Sequence, residues 1–295
     1  MKITTAIKSK LIQPTGFGAY DVCINPYVGC QFGCKYCYVR FFVKDKEEEW
    51  GDFVRLRTFI ETKLPKEING LNGQRLVIGT MTDPYQPQER TARLTRKILE
   101  IIKLNKNPCK EIGIFTRSPI VKDDIDLLKE LKVRVHLTVT PFEPDILKKI
   151  EPIPVSTAAR FAVLKELVDN GISCHVSISP ILPILSDGFI DEFVEQIASI
   201  KPRGFTVDPM QCYGPALKAT DESLGDNILW LECRSIVTDG DKYAHWKEEN
   251  KKAWQEAWSK HVNLGLCAMI MDHQEKVRYN LNTGEPVDFH GFSYG

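Results

Sequence analysis

Three cysteines in one short stretch carry the densest chemistry in the chain. Cys30, Cys34 and Cys37 stand in Asn25-Pro-Tyr-Val-Gly-Cys-Gln-Phe-Gly-Cys-Lys-Tyr-Cys-Tyr38, a C-x3-C-x2-C spacing. Thiolates are the ligands of iron–sulfur clusters, and a short loop lets several of them point at one centre. Gly29 and Gly33 each precede a cysteine, which suits a loop wrapped tightly around such a centre. Three thiolates on a four-iron cube leave one iron without a protein ligand, open to a substrate or cofactor as catalytic metal sites are. The alternative on these residues alone is a structural zinc site with a fourth ligand from elsewhere, for example His136, His175 or His261. Nine cysteines is an odd count, so disulfides cannot pair them all, and a chain of 295 residues can bury a core without such staples.

The elements that must position this loop follow a simple alternation. Strands are predicted over Val22–Val28, Arg75–Thr80, Glu111–Thr116, Arg134–Val139, Ser173–Ser179 and Gly204–Val207. Amphipathic helices are predicted between them, over Thr91–Leu104, Asp123–Leu131, Glu143–Ile150, Thr157–Asn170 and Phe189–Ile200. Thr157 reads as the cap of the fourth helix and Asn170-Gly171 as its stop. Six strands alternating with helices imply parallel pairing and an α/β sheet or barrel, here a partial (β/α)6 barrel. In such folds the loops after the strands collect active sites. The alternation stops near residue 210, so the chain divides into a barrel over 1–210 and a mainly helical extension or cap over 211–295. Trp246, Trp254 and Trp258 share one face of the charged helical stretch Asp241–His261, the pattern of a helix docked on its own domain rather than a base-stacking platform.

Charge excludes one function class. Lys plus Arg and Asp plus Glu are each 39, so no basic body holds nucleic acid by counterion release alone. No apolar run reaches the roughly 18 residues of a membrane span. Lys8 and Lys10 interrupt what would be a signal peptide's apolar stretch, and a cytoplasmic location is expected.

Taken together, these segments resemble the radical S-adenosylmethionine superfamily over roughly residues 20–208, and within it the spore photoproduct lyase-like branch. The resemblance rests on Asn25–Tyr38, Gly79-Thr-Met-Thr-Asp-Pro-Tyr-Gln-Pro-Gln-Glu89, Phe115-Thr-Arg-Ser118 with Asp123-Asp-Ile-Asp-Leu-Leu128, Glu151-Pro-Ile-Pro…Arg160, and Ser179-Pro-Ile-Leu-Pro183. It implies a [4Fe–4S] cluster on Cys30, Cys34 and Cys37 that chelates S-adenosylmethionine. An electron then cleaves the sulfonium, giving a 5′-deoxyadenosyl radical that takes hydrogen from a substrate. It implies further that Tyr36 packs beside adenine, and that Thr80, Thr82 and Asp83 lie where the methionine ammonium is held. Arg117 would pair with the methionine carboxylate, and Thr138 would bond the ribose hydroxyls. A flavodoxin or ferredoxin donor is implied, with a nucleotide or nucleic acid as the favoured substrate and a small metabolite or peptide as the alternative. On residues alone, Asp83-Pro-Tyr-Gln-Pro87 is also an ordinary turn, Arg117 an ion-pair partner and Thr138 a good strand residue. The rival from another class is a non-catalytic zinc or iron–sulfur module that binds nucleic acid.

The chain also departs from the lyase proper. Where that enzyme uses a cysteine to return a hydrogen atom, this sequence has Thr80, so photoproduct repair by that route is not expected. Tyr38 remains a candidate relay and Cys212 a candidate hydrogen donor. Cys212 together with Cys233 and Cys267 is a candidate set for a second cluster, but no pair among them has the usual short spacing. Cys23, Cys109 and Cys174 read as core thiols.

Overall fold

The computed structural model describes residues 1–6, 10–43, 48–210 and 214–261, together with the backbone of Cys267–Ile270. In chain order its strands are β1 (Lys2–Ala6), β2 (Ile12–Pro14), β3 (Val22–Ile24), β4 (Tyr27–Val28), β5 (Phe53–Arg57), β6 (Arg75–Ile78), β7 (Glu111–Thr116), β8 (Arg134–Val139), β9 (Ser173–Ile181), β10 (Gly204–Pro209) and β11 (Cys267–Ile270). The helices are α1 (Val39–Phe42), α2 (Ile60–Ile68), α3 (Glu89–Ala92), α4 (Leu94–Leu104), α5 (Ile125–Glu130), α6 (Pro144–Ile150), α7 (Thr157–Asp169), α8 (Ile190–Ile200), α9 (Gly214–Leu224), α10 (Ile228–Val237) and α11 (Gly240–Ser259).

The main sheet runs β2-β3-β6-β7-β8-β9-β10-β11. Every neighbouring pair is parallel except β2 with β3. All six expected strands are present and adjacent in chain order, giving the parallel partial barrel that the alternation predicts. Alternate side chains do two jobs. Ile78, Ile114, Leu137, Ile178 and Val207 are fully buried against the helix layer, each contributing about 1.5–3 kcal/mol relative to exposure. The residues between them face the concave side.

Two expectations need correction. The Val22–Val28 run splits at Asn25-Pro26, because Pro26 has no N–H for the ladder. Its second half, β4, leaves to pair with β5 in a separate β1-β5-β4 sheet that the strand expectations did not include. The cap of α7 is Ser156, whose side chain accepts from the Ala159 amide, one residue before the expected Thr157. The stop at Asn170-Gly171 is as expected, with Gly171 at φ 77°.

In the C-terminal part, α11 leads back to the sheet, where β11 pairs in parallel with β10. Trp254 and Trp258 pack their rings on Phe205 of β10, with centroids 6.3 and 4.9 Å away, so the tryptophan face is a docking face as expected. Helices α9 and α10 complete a second core at the strand C-termini, together with Phe32, Phe142, Leu182 and the cysteine loop.

Candidate active site

Loop 25–38 leaves β3 and crosses the C-terminal ends of the parallel strands, where side-chain clips fix it. Asn25 donates from Nδ2 to Thr80 Oγ1 (3.2 Å) and accepts at Oδ1 from the Met81 amide (2.8 Å). Thr82 donates to the Gly29 carbonyl (2.6 Å) while accepting from Gln86 Nε2 (3.0 Å). The same Gln86 accepts the Gln31 amide at 2.8 Å. Glycine is obligatory at position 29, where φ is 84° and a Cβ would stand 2.4 Å from the Phe53 carbonyl. Gly33 crosses Gly51 almost backbone to backbone, a Cβ on it meeting the Gly51 Cα at 3.1 Å.

Cys30 and Cys34 are buried, Cys37 is half-buried, and none is in a disulfide. Burial pushes the Cys34 thiol up to about 12 and raises Cys30 and Cys37 as well. Ionising such thiols requires cationic metal beside them, as iron supplies. The loop therefore fits a cluster: three thiols, tight glycine backbone and apolar walls that exclude water. Among the described residues, no three His, Cys, Asp or Glu side chains converge as one metal ion would need; a cube asks each thiol to reach a different iron. The fourth zinc ligands considered in the sequence serve elsewhere. His136 is hydrogen-bonded to the Tyr20 hydroxyl (2.7 Å) and stacked on Phe115, while His261 packs against Trp258.

Beside the loop lies a buried ionic network. Arg117 Nη1 donates to Glu151 Oε1 (2.6 Å) and to the Tyr36 hydroxyl (2.7 Å). The Tyr36 hydroxyl also donates to Glu151 Oε1, and Arg160 Nη2 donates to Glu151 Oε2. Burial alone would raise the Glu151 carboxyl, but Arg117 and Arg160 outweigh it and hold it below its ordinary value. Burial likewise opposes charge on Arg117, and the neighbouring Cys34, Glu151 and Tyr36 more than offset it.

Several expected ligand groups have protein partners. Asp83 accepts from Tyr85 N and Thr116 Oγ1 through Oδ1 and from Arg117 N through Oδ2, at 2.6–2.9 Å. Burial raises its carboxyl in spite of these donors. Asp83 and Thr82 thus brace the turn and the cysteine loop. Tyr36 is 7% exposed, with Arg117 5.6 Å and Phe142 6.5 Å from its ring centroid, and its hydroxyl anchors the network. Tyr38 donates to the Thr80 carbonyl at 2.7 Å. Cys212 lies outside the described residues, as does the side chain of Cys267, while Cys233 is buried in α10.

Thr138 faces the concave side in register with Ser177, which is itself in register with Thr206. These three form a row of hydroxyl-bearing positions, one step toward the cysteine loop from the aromatic row of Phe115 and His136. The row's other two members were legible from strand alternation but not singled out. Asn25, Gln86, Glu151 and Arg160 were quoted as motif residues without a role, because their partners lie 9 to 56 residues away.

The fold is an open parallel α/β barrel with three cysteines, none in a disulfide, in the loop after its first parallel strand. The model of the Radical SAM superfamily matches residues 24–197, and the chain belongs to that superfamily. An uncharacterized protein of Methanocaldococcus jannaschii is 37% identical over 181 residues, covering 60% of this chain and 67% of that one. An uncharacterized protein of Mycobacterium tuberculosis is 27% identical over 201 residues, and the match spans only 57% of its length. A spore photoproduct lyase variant solved with bound S-adenosylmethionine and dinucleoside spore photoproduct superimposes with a TM-score of 0.69 at 14% identity. That match covers 91% of this chain and 81% of the lyase chain and shows the shared fold.

Proposed function

We propose that the chain is an enzyme that binds S-adenosylmethionine at a [4Fe–4S] cluster on Cys30, Cys34 and Cys37. When bound there, the cluster supplies the electron that cleaves S-adenosylmethionine to methionine and a 5′-deoxyadenosyl radical, which abstracts hydrogen from a substrate. The observation that carries this reading is the pairing of two buried thiols and a half-buried third with the Arg117 guanidinium at the same strand ends. Arg117 spends Nη1 on protein acceptors, and no hydrogen bond from Nε or Nη2 occurs among the described residues. That unspent edge suits the methionine carboxylate, because planar arginine matches a carboxylate with two parallel bonds. Asn25, Thr82 and Gln86 hold the loop rigid around the cluster, and α6, α9 and α10 keep water from it.

The proposed substrate is a nucleotide or nucleic acid other than the spore photoproduct. The row Thr138, Ser177 and Thr206 supports it by offering hydroxyls to sugar or base edges, and the lyase of like fold holds a dinucleoside. Thr80 in the lyase's cysteine position argues against the photoproduct itself. A flavodoxin or ferredoxin is the proposed donor. Among the described residues no helix is long and apolar enough to cross a membrane.

The test is anaerobic reconstitution followed by reduction with dithionite. The wild-type chain is expected to hold about four iron and four sulfide and to release 5′-deoxyadenosine. Cys30→Ala, Cys34→Ala and Cys37→Ala should each abolish both. Zinc without sulfide, or deoxyadenosine from the alanine variants, sinks the reading. Deuterium transfer into 5′-deoxyadenosine from labelled oligonucleotides, nucleosides or peptides then decides the substrate class.

A further inference from the structure

Glu151 is wholly buried and has one carboxylate to share between two guanidiniums beside the cysteine loop, while the nearby Asp83 carboxylate takes the Arg117 backbone amide and not its guanidinium. The division is unequal. Arg160, also wholly buried, takes Oε2 with Nη2 and spends the rest of its fork on the protein: Nε on the Val155 carbonyl (3.0 Å), and Nη1 on Thr140 Oγ1 (3.1 Å) and the Thr138 carbonyl (3.4 Å). Arg117 is left with Oε1 alone, reached through Nη1. Its guanidinium lies 5.9 Å from the Phe32 ring centroid and 5.6 Å from that of Tyr36, two residues set between the cysteines. The Lys35 amide donates to the Ile150 carbonyl (2.8 Å), tying the same loop to the residue before Glu151.

An arginine and a carboxylate alone close into a two-bonded fork, which would consume the free edge of Arg117 and cancel its charge. We propose that Arg160 is a positioning residue: by occupying Glu151 Oε2 it prevents that closure, so Arg117 stays charged and keeps one edge for the carboxylate of S-adenosylmethionine. The inference rests on the functional reading above and adds to it the residue that sets the affinity for that carboxylate. Without Arg160, Glu151 Oε2 becomes available to Arg117 Nη2.

The test compares S-adenosylmethionine with its decarboxylated analogue, which keeps the amine, sulfonium and adenosine but lacks the carboxylate. Dissociation constants for both are measured on reconstituted wild type, Arg160→Gln, Arg160→Lys and the double variant Glu151→Gln/Arg160→Gln. A charge-assisted carboxylate contact corresponds to about a tenfold to hundredfold change in affinity. Arg160→Gln should lose that factor for S-adenosylmethionine while binding the analogue within about twofold of wild type. Arg160→Lys restores a cation at Oε2 and the double variant removes the competing carboxylate, so both should regain most of the loss. General damage to the fold would weaken both ligands together. Equal weakening of the two, or unchanged S-adenosylmethionine binding in Arg160→Gln, overturns the inference while leaving the functional reading intact. A wild-type chain that takes up no cluster overturns both.

Discussion

The two ends of the barrel use the same chemistry under opposite conditions. At the strand N-termini, Arg75 pairs with Asp21 and Arg134 with Glu111, both at 2.7 Å, with side chains 28–38% exposed. At the C-termini, Glu151 and Arg160 are wholly buried and Arg117 is 12% exposed. Exposed pairs contribute little because water competes and the side chains lose entropy. Buried pairs recover their desolvation cost only through close geometry, and apolar packing would often serve stability as well. At the centre of the N-terminal end Tyr20 enters over Gly113 and joins His136 and Phe115. Stability alone explains that floor. It does not explain why the other end keeps two arginines and a glutamate out of water.

The comparison is broken most directly by removing one carboxylate from each end. Glu151→Leu leaves two guanidiniums buried without their counter-charge and should cost about 3–5 kcal/mol in urea unfolding of the cluster-free chain. Glu111→Gln, at the exposed end, should cost no more than about 1 kcal/mol. Equal costs would mean that burial does not separate the two ends.

Glycines give a second contrast of smaller size. Gly29→Ala forces a left-handed residue against the Phe53 carbonyl, a backbone atom of β5 at a position paired with Lys2 of β1. It should cost at least about 2 kcal/mol and lower iron retention, and no side-chain change should rescue it. Gly113→Ala meets only the Tyr20 phenol, whose hydroxyl oxygen would stand 2.1 Å from the new Cβ. The expected loss is about 1–3 kcal/mol, and adding Tyr20→Ala should recover part of it. Melting temperatures of the single and double variants check both claims, and recovery at Gly29 or none at Gly113 would reverse the assignment.

The same contrast describes what was legible beforehand. The parallel strands were readable because each is a short apolar run followed by a helical period, and the cysteine loop because ligand spacing is local. The Glu151 network was not, since Tyr36, Arg117, Glu151 and Arg160 come from four separate segments and only the fold makes them neighbours. The bracing partners of Asp83 and Thr82 were hidden for a related reason: the Arg117 amide and the Gly29 carbonyl reach them only once the fold is in place. The β1-β5-β4 sheet escaped because Lys2–Ala6 is short and carries no strong period and Tyr27–Val28 reads as the continuation of the first strand, and β11 because three helices intervene between it and β10.

The smallest effect belongs to Asp21, and its sign is fixed by the direction of its shift. Hydrogen bonds from the Arg75 side chain and amide hold its carboxyl at about 2, below the ordinary 3.8. A carboxyl whose folded value is depressed contributes stability above its unfolded value and loses it as pH falls through the folded one. The difference in urea midpoint between wild type and Asp21→Asn should therefore be constant from about pH 5 to 7 and shrink between about pH 4 and 2. A difference that grew on acidification would contradict the pairing. Salt sharpens the same test, since a charge facing solvent is screened at about 1 M and a buried one is not. The Asp21→Asn difference should fade in that salt, while the larger Glu151→Leu cost should persist, because protein rather than water surrounds the second pair.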